Sequence, residues 1–421
     1  MTTTSDGPRR LVRTLTLTVV LQWMGATAVV PMLPVYIRHL GGSDATAGAV
    51  MASFYAAGVL SQYPMGRLAD RVGSRPVLVG GLLTYGVASL SFLLPIDTYA
   101  AIGLRALQGA GAGAATVAGL ALISRSIPVE GRGRAFAAVY AGELAGMAVG
   151  PLIGSIVGVQ YLWTMFLASG LLSFAACIPA LRLGAGSPPG GPRAVLAPGP
   201  GGRRAGVGAP MLGSLICAGV IGLTSGVYDI CWTLLLLARG ASGVAIGISW
   251  TLFAVPFVLA ARPSGWLADH VDRRAMVLAG LGLSTALCAA YPFIHNVPVL
   301  VVLGATEAMG FAAAMPAVQS LLTEQARPSQ VGHVQGLFAT SQTACTAVSA
   351  AAAGAAFGVA PWLPFVGVAA VVTAALATAA VVWRSVPGRV SRAGTLAEPV
   401  LAEPVLAEPT LAEVVSEPLR V

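Results

Sequence analysis

Apolar stretches long enough to cross a bilayer alternate with short polar segments over most of the chain. One helical span needs about 20 apolar residues, and twelve stretches meet or approach that length. They cover residues 11–37, 45–65, 77–94, 98–122, 135–157 and 161–181, then 210–238, 243–261, 275–293, 297–322, 331–357 and 361–383. The pattern predicts an all-α membrane protein with twelve transmembrane helices in two six-helix bundles.

The polar segments divide the chain further. Residues 184–209 are rich in Gly, Pro and Arg, which predicts a flexible cytoplasmic linker between bundles at 11–183 and 210–384. Residues 1–10 are predicted to be disordered. Residues 385–421 repeat Leu-Ala-Glu-Pro-Val with a five-residue period; proline at that interval prevents a continuous helix, so we expect a disordered acidic tail.

Composition excludes an ordinary soluble protein. Hydrophobic residues make up 56% of the 421 and charged residues only 10%, against about 25% charged in soluble domains. The net charge is +8, with 24 basic residues, all of them arginine. Only Arg38 and Arg239 fall on the predicted outer side and Arg105 within a span; the rest lie in predicted cytoplasmic segments. This asymmetry predicts both termini in the cytoplasm at the plasma membrane, not nucleic-acid binding.

A basic segment, Gly66–Pro76, separates the second and third spans. Gly66 and Gly73 are expected to permit a tight turn there. Asp70 can pair locally, or with the positive N-terminal end of a neighbouring helix. It carries the single negative charge among three arginines, Arg67, Arg71 and Arg75.

A weaker copy of this segment follows 199 residues later, at Gly265–Arg274. Asp269 corresponds to Asp70, which indicates a repeated half. Asp272 stands where the first copy has Gly73, so the sequence predicts a less tight turn and a looser contact there.

The fourth span contains a charged residue, Arg105, with Gln108 one turn further on. A guanidinium stays charged, so Arg105 must face protein or water, and Gln108 shares its face. A structural arginine satisfied by backbone carbonyls is the alternative. Close helix approach is expected along three glycines, Gly109, Gly111 and Gly113.

The fifth span has glycines at every fourth position, which form one smooth helical face with a proline that bends it. These residues are Gly142, Gly146, Gly150, Gly154 and Pro151.

Three carboxylates lie within predicted spans: Glu143, Asp229 and Glu307. A carboxylate in hydrocarbon is costly, so it pairs, titrates or lines water. Each is a candidate for proton coupling. The alternative is that it forms a structural hydrogen bond between helices. Counting roughly 1.5 Å per residue from the outer helix ends, Arg105 is at a depth similar to those of Asp229 and Glu307, so it could face either of them across a central cavity. Glu143 lies deeper, toward the cytoplasm.

Further polar and aromatic residues are candidates for lining a substrate cavity. Tyr228 and Trp232 share a face beside Asp229 and suit an amphipathic organic ligand. Glutamines in the first and eleventh spans either line the same cavity or bond neighbouring helices. With Arg105 and Gln108, the candidates are Gln22, Trp23, Tyr228, Trp232, Gln335 and Gln342.

The segments Gly66–Pro76, Leu104–Ala114 and Gly142–Gly154 together resemble motifs of the major facilitator superfamily. The second resembles a motif of proton-coupled members, and the third one of exporters in the drug:proton antiporter branch. The resemblance covers residues 11–384. It implies two bundles related by an axis along the membrane normal, with a midplane site exposed alternately to each side. It also implies that the Asp70 segment acts as a cytoplasmic gate.

By this resemblance the expected function is proton-driven export of a drug or toxic metabolite. A proton-coupled uptake symporter would share the fold and Arg105 without needing the glycine face of the fifth span. A receptor or scaffold would need neither Arg105 nor the carboxylates. We expect no enzymatic activity, no metal and no cofactor besides the proton gradient. The expected partners are a small-molecule substrate, protons and the lipid bilayer, with the chain acting as a monomer.

Overall fold

A computed structural model describes residues 6–127, 129–157, 161–183, 208–323 and 331–385. Within these ranges the regular structure is entirely helical and forms two halves of six spans each. The predicted fold class is therefore confirmed. The central part of the predicted linker, residues 184–207, and the tail from 386 onward lie outside the described residues.

The six spans of the N-terminal half follow the predicted order, and the first helix begins at Asp6, earlier than predicted. Span 1 consists of Asp6–Val29, a 3₁₀ turn Val30–Met32 and Leu33–His39; spans 2 to 6 are Asp44–Val72, Ser74–Ser91, Thr98–Ser126, Val129–Val157 and Leu162–Leu181.

The C-terminal half repeats this arrangement. Span 7 consists of Ala209–Val227, a π turn Tyr228–Trp232 and Thr233–Ala238; spans 8 to 12 are Gly243–His270, Arg273–Ala290, Val297–Thr323, Val331–Val359 and Leu363–Val382. Short 3₁₀ turns, Tyr291–Phe293 and Trp383–Ser385, follow spans 9 and 12.

Eight of these spans are long and apolar enough to cross a membrane by length and composition, namely spans 1, 4, 6, 7, 9, 10, 11 and 12. Spans 5 and 8 contain shorter apolar stretches within the described residues, Ala138–Gly154 and Gly243–Pro256. Spans 2 and 3 are continuous helices of lower hydropathy. In span 1, the predicted proline break is confirmed, since Pro31 lies in the 3₁₀ turn and Pro34 is the second residue of the helix after it.

The internal repeat is also confirmed by the way the spans pack. In the N-terminal half, span 1 packs on spans 5 and 6, span 4 on spans 2 and 3, and span 3 on span 6. The same pairs recur in the C-terminal half, with six added to each number. The halves meet where span 2 packs on span 11 and span 5 on span 8.

The contact between spans 2 and 11 is very close at the end of span 2 that begins with Asp44. A Cβ atom on Gly48 would lie 2.7 Å from the Ala350 carbonyl oxygen, and one on Gly354 would overlap the Asp44 carbonyl. Only glycine permits this approach. The two halves are therefore in direct backbone contact at the end opposite the Gly66–Pro76 segment.

The turn between spans 2 and 3 differs from the prediction. Span 2 continues as a helix to Val72 and span 3 begins at Ser74, so Gly66 lies inside a helix and does not form the turn. Gly73 alone makes the reversal, with a φ of 95° that favours glycine. The prediction for Gly66 was wrong because the helix continues past the end of the apolar stretch.

The corresponding turn in the second half is as short, although it has no glycine. Span 8 ends at His270 and span 9 begins at Arg273. The Asp272 carboxylate caps span 9 by accepting from the backbone amides of Arg274 and Ala275, at 2.8 and 3.3 Å. The expectation of a less tight turn was therefore wrong. In the second copy the N-cap of span 9 permits the short reversal that Gly73 permits in the first. The side chain of Asp269 lies outside the described part of the chain.

Candidate functional site

Arg105 is the most buried charged side chain among the described residues of the N-terminal half, with 1% of its surface exposed. It donates to Gln108 Oε1 at 2.8 Å, and its guanidinium carbon lies 4.4 Å from the centre of the Phe54 ring. Its Nε has no partner among the described residues. The predicted shared face with Gln108 is confirmed. The alternative of backbone carbonyl partners is not what the structure shows, since a glutamine oxygen and the Met51 sulfur accept from it.

Gln108 joins span 4 to span 3. It is fully buried, and its amide donates to Ser89 Oγ at 2.8 Å while its oxygen accepts from Arg105. Nearby, Gly109 would overlap the Phe54 carbonyl if it carried a Cβ, and Gly111 would bring one within 2.6 Å of the Gly81 carbonyl oxygen. The expected close packing of span 4 is thus confirmed.

Asp229 links the two halves of the molecule. It lies in the π turn of span 7, is 9% exposed, and accepts a hydrogen bond of 2.5 Å from the Tyr55 hydroxyl on span 2. Arg105 is close enough to interact with Asp229 electrostatically, but the two do not form an ion pair. A buried carboxylate, a buried guanidinium and a tyrosine hydroxyl therefore lie together where the halves meet.

Glu307 forms a separate cluster inside the C-terminal half. It is 1% exposed and accepts from Tyr228 at 2.8 Å, from Tyr291 at 2.5 Å and from Ser284. These hydroxyls come from span 7, the turn after span 9 and span 9 itself. The expected proximity to Arg105 is not seen, because the hydrogen-bond partners of Glu307 among the described residues are neutral hydroxyls of its own half.

Aromatic rings surround this cluster. The Tyr228 ring centre lies 6.2 Å from that of Trp232, and the Trp232 and Tyr291 rings meet edge to face at 5.0 Å. Trp232 Nε1 donates to Ser249 of span 8 at 2.9 Å. The predicted common face of Tyr228 and Trp232 is therefore part of a contiguous aromatic wall against Glu307.

A small space of about 40 Å³ borders Glu307, between spans 7, 8 and 10. Its lining side chains are Tyr228, Trp232, Ser249, Trp250, Phe253 and Glu307, with Gly304. A larger open groove of about 680 Å³ lies between spans 9 and 12 and is almost wholly apolar. Only the smaller space touches candidate site residues.

Glu143 is not part of either cluster. It is half-buried on span 5, and within the described residues no hydrogen bond or ion pair to it is recorded. Tyr140, one turn earlier, is the titratable group that interacts with it electrostatically.

The glycine face of span 5 rests on the backbone of span 1. A Cβ on Gly146 would lie 2.8 Å from the Val20 carbonyl oxygen, and Cβ atoms on Gly150 and Gly154 would overlap Thr27 and Ala28. A Cβ on Gly142 would lie 2.8 Å from the Thr16 methyl group and 3.1 Å from the Thr16 carbonyl oxygen. These contacts confirm the predicted glycine face, and Pro151 lies within the same helix.

The remaining cavity candidates occupy varied positions. Gln22 is buried, and Trp23, beside Gly146, is half-buried. Gln335 donates to Gln319 of span 10 at 2.7 Å. This is the second of the two predicted roles, a hydrogen bond to a neighbouring helix. Gln342 is half-buried, and its carbonyl touches Gly222 of span 7.

The basic segment after span 2 connects three spans of one half. Asp70 pairs with Arg125 at the end of span 4, which is neither of the expected partners. Arg75 donates to the carbonyl of Leu181 at the end of span 6, and Arg67 lies 5.3 Å from the Tyr63 ring centre. Arg71 lies in the last turn of span 2. The long separation between Asp70 and Arg125 concealed this pairing from sequence reasoning.

Sequence reasoning also missed three hydroxyl residues of the two clusters, Tyr55, Ser284 and Tyr291. Each lies in or beside an apolar stretch, and no spacing connects it with Asp229 or Glu307. Finding such hydroxyl residues requires knowing which spans pack against the carboxylates, and only the fold gives that information. Among the described residues, no group of three or more His, Cys, Asp or Glu is placed to hold a metal ion.

Comparison with known proteins gives consistent results. The family model described as Major Facilitator Superfamily matches residues 15–207 and 211–419. The chain is 26% identical over 333 residues to the multidrug resistance protein MdtH of Aeromonas hydrophila, covering 74% of this chain and 79% of that protein. It is 34% identical over 165 residues to a chloramphenicol resistance protein of Pseudomonas aeruginosa, which is 38% of either chain.

A solved structure is similar in fold. A bacterial homologue of the human lysosomal transporter Spinster, in an inward-facing and occupied conformation, superimposes with a TM-score of 0.69. The match covers 90% of this chain and 97% of that one at 15% sequence identity. At that identity the likeness concerns the fold alone.

Proposed function

The chain belongs to the major facilitator superfamily, and from this premise we propose that it exports a small organic molecule in exchange for protons by alternating access. The family and the fold are those of multi-pass membrane transporters and not of enzymes. Such transporters generally need no cofactor. What remains to be argued is the coupling ion, the direction and the substrate.

The hydrogen bond between Tyr55 and Asp229 is the observation that carries the proposal. It places a titratable group at the contact between the two halves, close to the buried charge of Arg105. When Asp229 is ionised, the Tyr55 hydroxyl and the Arg105 charge both favour the contact. When Asp229 is protonated, the attraction to Arg105 is lost and the carboxyl oxygen becomes a weaker acceptor. Protonation thereby changes the balance between the closed and open arrangements of the halves.

A transport cycle follows from this change. A proton that arrives from outside neutralises Asp229 and favours release of the bound molecule outward. Loss of the proton toward the cytoplasm restores the ionised form and the contact with Tyr55. The Asp70–Arg125 pair connects span 2 with span 4, so movement of span 2 carries Arg105 with it. In this cycle the Asp70 segment is the cytoplasmic gate.

Two observations favour export over uptake. The glycine face of span 5 resembles that of exporters, and the two relatives named above are called multidrug and chloramphenicol resistance proteins. A proton-coupled uptake symporter is the second candidate, because Arg105 and Asp229 would serve it equally well. The proposal further includes the plasma membrane as location, cytoplasmic termini, a proton gradient as energy source and action as a monomer.

Proton movement in inside-out vesicles with an acid interior tests the proposal. Chloramphenicol, lipophilic amines and sugars are added in turn, with a pH-sensitive dye in the vesicle interior. We expect at least one compound to make protons leave the interior while the compound accumulates inside. If the compound leaves together with the protons, symport replaces export.

Three neutral variants identify the proton carrier: Asp229→Asn, Glu143→Gln and Glu307→Gln. We expect Asp229→Asn to abolish the exchange, since it removes the titratable group at the contact between the halves. Asp97, an exposed residue that caps span 4 by accepting from the Ala100 amide at 2.7 Å, offers the control Asp97→Asn. Full exchange in Asp229→Asn would refute the assignment of Asp229, and accumulation without proton exchange would refute coupling altogether.

A further inference from the structure

The open groove between spans 9 and 12 lies where the N-terminal half places side chains. Spans 3 and 6 form the equivalent pair, and there the Phe174 ring packs on Gly86, while Leu90 of span 3 also packs on span 6. In the repeat, Ala289 stands 199 positions after Leu90, and residues 366–382 of span 12 include no aromatic side chain. Smaller residues in the C-terminal half therefore leave a space of about 680 Å³.

The walls of this groove are apolar along their whole length. Apart from two threonines, the lining residues are Ala, Gly, Leu and Val. The hydroxyls of Thr285 and Thr373 each donate to a carbonyl one turn earlier in their own helix, at 2.7 Å. From Val366 to Ala380 the groove follows span 12 for about 21 Å, which is longer than the depth of roughly 15 Å that one leaflet of hydrocarbon occupies. The groove therefore suits a hydrocarbon chain that runs along the membrane normal.

Arginines lie at one end of the groove. Arg384 is exposed and follows Ala380, which lines the groove, by four residues. On the other wall, Arg274 precedes Leu278 by four residues, and it donates to the Trp383 carbonyl at 2.9 Å. This hydrogen bond joins the beginning of span 9 to the end of span 12. Arg274 and Arg384 therefore belong to the same mouth of the groove.

The surrounding sequence makes this mouth more basic than its equivalent in the N-terminal half. Arg273 stands where the first half has Ser74. Asp272 balances part of the charge by pairing with Arg274 at 3.1 Å, but residues 383–397 include three arginines and no acidic residue. Arginines placed directly beside a span attract the headgroups of anionic lipids. In the proposed orientation they face the cytoplasmic leaflet, where such lipids are concentrated.

We propose that the groove binds one anionic phospholipid, with an acyl chain between spans 9 and 12 and the phosphate beside Arg274 and Arg384. A second copy of the chain is a less suitable occupant, because a two-fold axis along the membrane normal would bring the same arginines of both copies together. A zwitterionic lipid would fill the groove but would gain less attraction at its mouth. The inference depends neither on the transported molecule nor on the coupling ion.

Native mass spectrometry of the purified full-length protein in detergent tests the inference with a matched pair of lipids. The probes are phosphatidylglycerol and phosphatidylcholine, both with palmitoyl and oleoyl chains, so that only the headgroup differs. For the first bound lipid, we expect the dissociation constant of phosphatidylglycerol to be lower by about tenfold, since more than one arginine attracts its phosphate. Equal dissociation constants would overturn the inference.

Arg384→Gln tests the mouth of the groove. This variant should lower the preference for phosphatidylglycerol by about fivefold, because the attraction of one arginine is lost. Arg182→Gln is the matched control: Arg182 is exposed and directly follows Leu181, whose carbonyl accepts from Arg75 in the first half. The preference should be unchanged there. An equal loss in both variants would show a general attraction to surface charge and would overturn the assignment to this groove.

Ala377→Phe tests the groove itself, because it places an aromatic ring where the acyl chain would lie. Both lipids should then bind more weakly by about fivefold or more, since buried methylene groups return to the detergent. Ala374→Phe is the control, on an exposed position of span 12 that does not line the groove. Both alanines are exposed, so both variants should fold. Unchanged lipid binding in Ala377→Phe would overturn the inference, and conversion of a dimer to a monomer in that variant alone would assign the groove to a second copy instead.

Discussion

In the N-terminal half, the glycines that bring spans 1 and 5 together belong to span 5, whereas the equivalent pair in the C-terminal half uses glycines of span 7. There, a Cβ on Gly226 would lie 2.6 Å from the Thr346 carbonyl oxygen of span 11, and one on Gly222 would overlap Gln342. Spans 7 and 11 correspond to spans 1 and 5 in the repeat. The same close approach is therefore achieved with the small residues on the other helix.

This difference shows that the fold requires the close approach of the two helices but not glycines on one particular helix. Two backbones must come close in both halves, and either helix can supply the missing side chains. The glycine pattern of span 5 therefore has a packing role that does not depend on the direction of transport. Its resemblance to the exporter motif supports export only together with the names of the relatives.

The largest expected effect comes from valine at either glycine face. Gly150→Val and Gly226→Val each place side-chain atoms where the neighbouring backbone lies, so the helices must separate. We expect each to lower the free energy of unfolding by about 3 kcal/mol, measured by chemical unfolding in detergent.

Gly119→Val and Gly358→Val are matched controls, because a Cβ at either position meets no atom within 4 Å. They should have much smaller effects than the other two variants. If Gly150→Val destabilises the protein and Gly226→Val does not, the two faces are not equivalent.

A smaller effect should separate the two carboxylate clusters. Tyr55→Phe removes the hydroxyl that joins the halves and leaves Asp229 without that donor, which costs about 1–3 kcal/mol for a buried acceptor. The closed contact should therefore loosen by about tenfold. Hydrogen exchange at residues 44–51 and 350–354, where the halves touch, measures this opening.

Tyr228→Phe is the matched comparison for Tyr55→Phe. It also removes one hydroxyl from a buried carboxylate, but Glu307 keeps Ser284 and Tyr291, and all these groups belong to one half. Exchange at the contact between the halves should stay unchanged. Equal acceleration in both variants would mean that the Tyr55 hydroxyl has no particular role in holding the halves together.

Much of the fold could be predicted from the sequence because hydrophobic spans, prolines and arginines act locally. The break at Pro31, the boundaries of most spans and the repeat all follow from residues close in the chain. The pairing of Arg105 with Gln108 was predictable for the same reason, since one helical turn separates them.

The partners of the carboxylates could not be predicted in this way. Tyr55 and Asp229 are 174 residues apart and Asp70 and Arg125 are 55 apart, so only the packing of spans brings them together. Equal depth in the membrane suggested that Arg105 could meet either Asp229 or Glu307. Depth carries no information about rotation around the helix axis, and that rotation directs Glu307 into its own half.

The two basic turns share an arginine contact but differ in the contacts of their aspartates. Arg75 and Arg274, 199 positions apart, both donate to a carbonyl at the end of the last span of their half, those of Leu181 and Trp383. Asp70 reaches across to span 4, whereas Asp272 stays local, capping span 9 and pairing with Arg274 at 3.1 Å. Asp272 corresponds to Gly73, whereas the side chain of Asp269, which corresponds to Asp70, lies outside the described part of the chain.

The smallest predicted effect follows from the local role of Asp272. Partial burial disfavours its ionised form, but hydrogen bonds from the Arg274 side chain and from the amides of Arg274 and Ala275 outweigh this and lower the pKa of Asp272. A carboxyl whose pKa is lowered by folding stabilises the protein above its ordinary value of about 3.9, and this contribution disappears as the pH falls through the lowered value. Because the side chain is one third exposed, the contribution should stay below about 1 kcal/mol.

Asp272→Asn keeps a capping oxygen but removes the charge. The variant should therefore be slightly less stable than the unchanged protein at pH 6, and the difference should shrink as the pH is lowered toward 3. Thermal unfolding in detergent across that range measures it, with Asp97→Asn, at the exposed N-cap of span 4, as a control for removing a capping carboxylate elsewhere. A difference that is constant with pH would show that capping, and not charge, accounts for the role of Asp272. The second turn would then depend on neutral hydrogen bonds to backbone amides, in the position where the first turn depends on the backbone conformation of Gly73.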